Sequence, residues 1–443
     1  MRAVLGVVLF SACCLATACK SEQPAPAAVD PELAKFIAGI RAVDNHTHVG
    51  STAKDDHDFD ALPLDAIPPF DVPARIRPEN PEWVAAYRAL YGYRYDDLAE
   101  AHLTELRGER QRTISAQGEN FPTWVLDKAG TEVMLANRIA LGPGLAPPRF
   151  RWVSYVDALL LPLSTKAEAQ ATPDRAKLYP LEDDLLHRYL ADLNLSKLPP
   201  TLDEYLRQVV TPTLERQRAA GCVAVKFEAA YLRSLEFAKA QETEAAAVYS
   251  RYVNGGIPPH DAYKTLEDFL FRYIAREAGR LGMAVHIHSF EGGGGFYAVN
   301  ESDPFLLESA FNDPDLRKTN FVIIHGGGIF SAHAAAMLWK PNVYADFSLM
   351  VLVYPTPQVA AVLHDWLAQF PEKILFGTDA GPLNPDQQWD IATLSGTNTA
   401  RTALGMALTT MMNNGEVTRR RAEEIATAVM RGNASRLYGL KLN

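Results

Sequence analysis

His46 and His48 stand two residues apart in Val43-Asp44-Asn45-His46-Thr47-His48, at the end of a short apolar run. Side chains alternate along a strand, so both imidazoles turn to one side, where they can share a metal ion. Imidazole nitrogen suits zinc and its neighbours. Taken alone, the pair would look the same if both rings were structural. More is implied by the placing of the other such groups: His286, His288 and His325 end β-branched runs far along the chain, and Asp379 ends the last run. Residues so distant meet only if every strand delivers its last side chain to one rim.

Eight runs read as strands: 40–45, 131–138, 149–156, 222–228, 283–288, 320–325, 342–348 and 373–379. Helical patterns fit between them. In Thr201 to Ala220, Leu202, Tyr205, Leu206 and Val209 recur at helical spacing, and a second such stretch runs from Ala262 to Leu281. Alternating strand and helix predicts parallel βαβ units, and eight of them close an α/β fold, the (β/α)8 TIM barrel. Two connections are far longer than usual, 49–130 after the first strand and 157–221 after the third. Both are expected as inserts on the active-site face, walling or covering a pocket. Thr418 is placed to cap a helix reaching Val429, and Asn433 to cap the turn 434–437.

The strand-one pair, His288 followed by Ser289, the Ile-Ile-His325-Gly-Gly block and Phe-Gly-Thr-Asp379 together resemble the amidohydrolase superfamily. The likeness covers nearly the whole body. Gly432-Asn433-Ala434-Ser435-Arg436-Leu437-Tyr438 is similar to the end of its type 2 branch, and Lys226-Phe-Glu-Ala-Ala-Tyr231-Leu-Arg233 resembles the strand-four region of FluG and nodulin-like members. The resemblance implies a divalent cofactor, one or two ions, with zinc the first choice and manganese or iron the alternatives. His46, His48, His288 and Asp379 are its implied ligands. His325 either holds a second ion or acts on the substrate, and Asp379 accepts the proton of the attacking water. Neutral imidazoles leave an ion its charge, so the pKa of a water can fall to about 7.

Lys226 has three readings: a carboxylated lysine bridging two ions, a cation for a substrate carboxylate, or a salt-bridge partner of Glu228 or Glu291. Tyr231 and Arg233 follow it into a loop as candidate substrate contacts, a surface role being the alternative. His286 reads as a supporting or core histidine, and His333, in a helical stretch, as packing. The implied activity is metal-dependent hydrolysis of an amide or other C–N bond in a small, carboxylate-bearing molecule. Decarboxylation or lactone hydrolysis on the same site is one alternative; a catalytically silent binding lipoprotein is another. His325-Gly-Gly-Gly imitates an esterase oxyanion loop, but no Gly-x-Ser-x-Gly elbow accompanies it, and its glycines are expected to let backbone approach the metal or substrate. Gly292 to Gly295 reads as a mobile loop, since the Lys-Ser/Thr of a phosphate loop is missing.

A chain of 443 residues, 48% hydrophobic with a formal net charge of −10, can bury a large core and lacks the basic balance that nucleic-acid binding requires. Arg419-Arg420-Arg421 reads as a solvated helix face. Residues 1–18 read as a signal peptide, with an apolar run too short to span a membrane as a helix. Leu15-Ala16-Thr17-Ala18-Cys19 resembles a bacterial lipobox, which implies a lipidated Cys19; simple cleavage after Ala18 is the alternative. Residues 19–32 read as a flexible tether and 33–443 as one barrel domain. The expected location is the periplasmic side of a bacterial envelope, with membrane contact only through the lipid. Only Cys222 lies outside the signal region, so no disulfide can form within the body.

Overall fold

The computed structural model describes residues 28–63, 72–292 and 296–442. The signal-like run, Cys19, most of the tether and residues 293–295 of the glycine loop lie outside them. The apolar runs become strands β1 Ala42–Thr47, β2 Thr131–Asn137, β3 Phe150–Tyr155, β4 Cys222–Phe227, β5 Ala284–His288, β6 Phe321–Ile324, β7 Val343–Asp346 and β8 Ile374–Leu375. They pair in parallel in sequence order. The expected run 373–379 is strand only at its start, yet the seam continues past it. Asn45 N donates to Phe376 O at 2.9 Å, Asp379 N to His46 O at 2.8 Å and His48 N to Ala380 O at 2.8 Å. The fold is a (β/α)8 TIM barrel.

Alternation along the strands sorts the core. Val133, Leu135, Val153, Val322, Ile324 and Leu375 fill the barrel with Ala434 and Leu440 from the C-terminal segment, while Val225, Phe227, Val285 and Ile287 join Leu270, Phe271 and Ile274 of the helix His260–Arg280 outside it. The last helix, Asn433–Tyr438, thereby plugs the barrel floor.

Several expectations need correction. No helix separates β2 from β3. The helix expected over 201–220 is interrupted by a π turn at Leu206–Val210, just before Pro212, whose missing N–H leaves the carbonyl four residues back without its usual donor. Thr418 does cap its helix, accepting from Arg421 N at 3.2 Å. Asn433 does not cap: it is already helical, and its amide donates to Pro371 O and Ile374 O, both at 2.8 Å, which pins the start of β8. The tether ends sooner than expected, since Asp30 caps the helix Pro31–Gly39 and pairs with Arg419 at 2.7 Å. Arg420 and Arg421 pair with Glu424 and Glu372, so the basic run is spent on local carboxylates. No helix of the described residues is long and apolar enough to cross a membrane.

Both inserts reach the strand ends. The first carries helices Trp83–Tyr91, Glu100–Gln117 and Phe121–Ala129, and its Asp58 pairs with Arg188 of the second insert at 2.7 Å. Tyr189, one residue on, donates from its hydroxyl to Tyr155 O at the end of β3 at 2.6 Å. Cys222 opens β4 fully buried, and burial pushes its thiol up to about 12. A thiol reagent at pH 8 is therefore expected to leave Cys222 unlabelled in the native protein and to label it after denaturation, as read by peptide mapping; rapid native labelling of Cys222 would contradict this packing.

Candidate metal centre

Strand β1 is irregular between Asp44 and Thr47, where three steps on β1 face two on β2. The two histidines therefore converge through a bulged strand end rather than by simple alternation. His46 Nε2 lies 3.0 Å and His48 Nε2 3.4 Å from one atom, Asp379 Oδ1. That buried oxygen nevertheless accepts no hydrogen bond, and neither does the buried Nε2 of His288. Close N···O approach without a shared proton is how ligand atoms surround a cation, and His46, His48 and Asp379 all offer donors within 4.8 Å of one another. The residues present fit a divalent ion.

The surroundings fix these rings. His48 Nδ1 faces Asp60 Oδ2 at 3.2 Å and Tyr155 Oη at 3.1 Å, the carboxylate–histidine arrangement that leaves the other ring nitrogen to a metal. On His46, Nδ1 meets Asn137 Nδ2 at 2.7 Å. Asn137 Nδ2 also donates to Thr47 O at 3.1 Å; its Oδ1 is unpaired, and turning the amide over would supply the acceptor that a metal-bound His46 requires at the cost of the Thr47 bond. Burial, then the nearby Lys226 charge, holds His46 well below the usual histidine range, so its ring is neutral. Burial also works against charge on His48, but the Asp60 and Asp379 carboxylates outweigh it and lift the metal-free ring to about 10. For Asp379 burial favours the neutral acid, yet the imidazoles of His325, His46 and His48 keep the carboxylate well below its ordinary range.

His325 and Asp379 both adopt a left-handed backbone, φ 64° and 60°, which non-glycine residues seldom take. Such strain persists where surrounding structure over-determines it, as at reactive centres. The His325 ring sits 5.0 Å from that of His46 and 4.8 Å from that of His288. Its Nδ1 lies 2.8 Å from Ser348 Oγ, and its backbone N–H donates to Asp346 Oδ1 at 2.8 Å. The glycines that follow are closely packed: a Cβ at Gly326 would fall 2.1 Å from the Trp366 ring, and one at Gly328 would fall 1.8 Å from the Glu291 carboxylate.

Lys226 Nζ lies 3.4 Å from His46 Nε2 and 3.5 Å from Glu228 Oε1. Glu291, the other expected partner, instead accepts from Ile329 N and from the Tyr354 hydroxyl. His48, Asp60 and Glu228 form a second group of nearby donors, so Lys226 Nζ stands between the two groups, beside His46 of the first and Glu228 of the second. Tyr231 is buried with its ring 4.3 Å from that of His288, so it belongs to the site wall. Arg233 does not fit the expectation of a substrate contact: Glu267 and Asp268 hold its guanidinium at 2.5 and 2.7 Å. His286 pairs with Tyr438 on the barrel floor, and His333 pairs with Asp303 on a partly exposed helix.

Sequence reasoning missed Asn137, Tyr155 and Asp346, although each is the last residue of its strand. The runs read from the sequence overshoot these ends, stopping at Arg138, Val156 and Ser348, so the rule that singled out His288 passes over all three. Asp60 carries a weaker signal, the acidic stretch Asp55-Asp56-His57-Asp58-Phe59-Asp60 within the first insert.

Residues 196–440 match a family model described as Amidohydrolase. The match takes in Lys226, His288, His325 and Asp379 and stops short of the β1 histidines, which the barrel itself brings to them. No curated protein matches the chain. Among solved structures it is similar to a Lactobacillus casei ATCC 334 protein provisionally named a metal-dependent hydrolase, at 16% identity and TM-score 0.61, covering 92% of this chain and 97% of that one. It is also similar to glucuronate isomerase from Caulobacter crescentus, at 13% identity and TM-score 0.61 over 93% and 94% of the two chains. Uronate isomerase from Thermotoga maritima gives 13% identity and TM-score 0.53 over 93% and 98%. These three likenesses show the fold.

Proposed function

Because the chain belongs to the amidohydrolase family, we propose that it is a metal-dependent hydrolase cleaving an amide or other C–N bond in a small, carboxylate-bearing substrate. The observation that carries this reading is the convergence of two imidazole nitrogens on one unpaired carboxylate oxygen; His288, whose Nε2 has no partner, stands outside that group of mutually close donors with its ring 4.8 Å from that of His325. His46, His48, His288 and Asp379 would hold a divalent ion, zinc by first choice, which when bound acts as a Lewis acid and lowers the pKa of a water to about 7. The chain's own groups do the rest. Asp379, kept ionised by its imidazole neighbours, can take a proton from water and return it to the leaving nitrogen. Lys226 supplies a positive charge beside His46 for a substrate carboxylate. The Tyr231 ring and the two inserts keep bulk water from the reacting groups.

The signal-like N-terminus supports a periplasm-facing enzyme tethered through Cys19. The test is a screen of the purified chain against N-acyl amino acids, γ-glutamyl compounds, cyclic imides, lactones and aromatic acids, with and without a chelator. Amine or ammonia release that stops on chelation and returns with zinc is the expected result. Turnover surviving complete metal removal would overturn the reading, and activity confined to lactones or aromatic acids would reassign the reaction.

A further inference from the structure

A continuous line of hydrogen bonds crosses the barrel interior from His325 at the rim to His286 at the floor. His325 Nδ1 and Ser348 Oγ are 2.8 Å apart, Ser348 Oγ donates to Asp346 Oδ1 at 2.7 Å, and Asn45 Nδ2 donates to Asp346 Oδ2 at 2.8 Å. The Tyr438 hydroxyl then donates to Asn45 Oδ1 and lies 2.7 Å from His286 Nε2. Asp346 also accepts from the backbone N–H groups of His325 and Ser348. Every member is buried or nearly so, and with Asp346 ionised no other arrangement of protons satisfies all of them.

The direction of each bond follows from the carboxylate. An ionised carboxylate only accepts, so both neighbours must spend donors on it. Ser348 has one hydroxyl proton, which goes to Asp346, so its oxygen is left to accept from His325 Nδ1–H. Asn45 turns its NH₂ to Asp346, which leaves its carbonyl oxygen to accept from Tyr438; the phenol oxygen then accepts from His286 Nε2–H. His286 Nδ1 is thereby bare, in agreement with its having no partner.

We propose that Asp346 is a positioning residue that sets the tautomers of two histidines at once: Nδ1–H on His325, which presents a bare Nε2 to the metal centre, and Nε2–H on His286. The functional part of this inference rests on His325 belonging to the reactive centre proposed above; the proton pattern stands without it. His325 then offers a lone pair to an ion or a substrate proton and has no ring proton to give from its Nε2.

Asp346→Asn reverses part of the line in a defined way. Asp346 Oδ1 faces three donors, so the new carbonyl must stay there and the new NH₂ must face Asn45. Asn45 turns over to avoid donor against donor, Tyr438 now accepts from it, and the phenol proton passes to His286 Nε2. The proton of His286 moves to Nδ1, whereas His325 keeps its own. Nitrogen-15 imidazole spectra of the zinc-loaded protein, assigned with His286→Gln and His325→Gln, read both rings directly. The expected wild-type result is Nδ1–H for His325 and Nε2–H for His286, with only His286 switching in D346N. Adding Tyr438→Phe, which cuts the line, should abolish the switch. The opposite wild-type tautomer at either ring, or a folded D346N in which His286 is unchanged, would overturn the proposal. Should D346N not fold, the wild-type spectra alone decide between these outcomes.

Discussion

An Asp379→Asn variant is expected to turn over substrate about 10²- to 10⁴-fold more slowly than the wild type and to release its metal on dialysis. The asparagine keeps the shape of the side chain, so the left-handed turn at this position need not change. What goes is the charge that faces His46 Nε2 and His48 Nε2 and the oxygen that accepts a proton from water. A ligand that binds only the folded state stabilises it according to its concentration over its dissociation constant, by about 4 kcal/mol at a thousandfold excess. A variant whose affinity has fallen a hundredfold gains only about 1.4 kcal/mol under the same conditions. Zinc titration followed by thermal unfolding therefore reads the ligand role, and metal content after dialysis checks it independently. The wild type should hold zinc through dialysis and gain about 4 kcal/mol on titration, and the variant should lose its zinc and gain about 1.4 kcal/mol or less. A variant that retains stoichiometric zinc and wild-type turnover would remove Asp379 from both roles.

The barrel and its rim were legible because each rests on a local pattern with a single spatial consequence. Runs such as Phe-Val-Ile-Ile before His325 have one packed solution between helices, and parallel strands in order bring their last residues together. That logic reached His46, His48, His288, His325 and Asp379 across more than three hundred positions. It failed where the determinant is tertiary. Nothing near Asp60 says that an insert will fold back until its carboxylate meets His48, and nothing around Arg233 says that Glu267 and Asp268 from a later helix will consume it. Asn433 has the chemistry of a cap, but the carbonyls of Pro371 and Ile374, brought to it only by the fold, compete for its amide and win.

The second large effect is expected at Arg138, the residue immediately after β2, although it touches no metal ligand. Its guanidinium is 1% exposed and donates to both oxygens of Asp56 at 3.0 and 2.6 Å, to Val49 O at 2.6 Å and to Ala140 O at 2.9 Å. Arg138→Met leaves Asp56 and two carbonyls facing an apolar side chain. Breaking a buried pair in this way costs about 3–5 kcal/mol, and the partial exposure of Asp56 places the expected loss toward the lower figure. The sign with pH is set by the carboxylate. Burial alone would raise Asp56, but Arg138 and the Ser51 N–H hold it below its ordinary value. Its contribution is therefore complete above the unfolded carboxylate pKa of about 4 and is lost as pH falls through the lower folded value. Denaturant unfolding should show the wild type losing stability on that acid limb and R138M losing less. The damage should also reach the metal, because Asp56 anchors the segment that ends in Asp60, and Asp60 holds His48 Nδ1. Loosening such a supporting carboxylate typically weakens metal binding about 10- to 100-fold. An R138M protein with wild-type stability and wild-type zinc affinity would show that the first insert does not brace the metal centre.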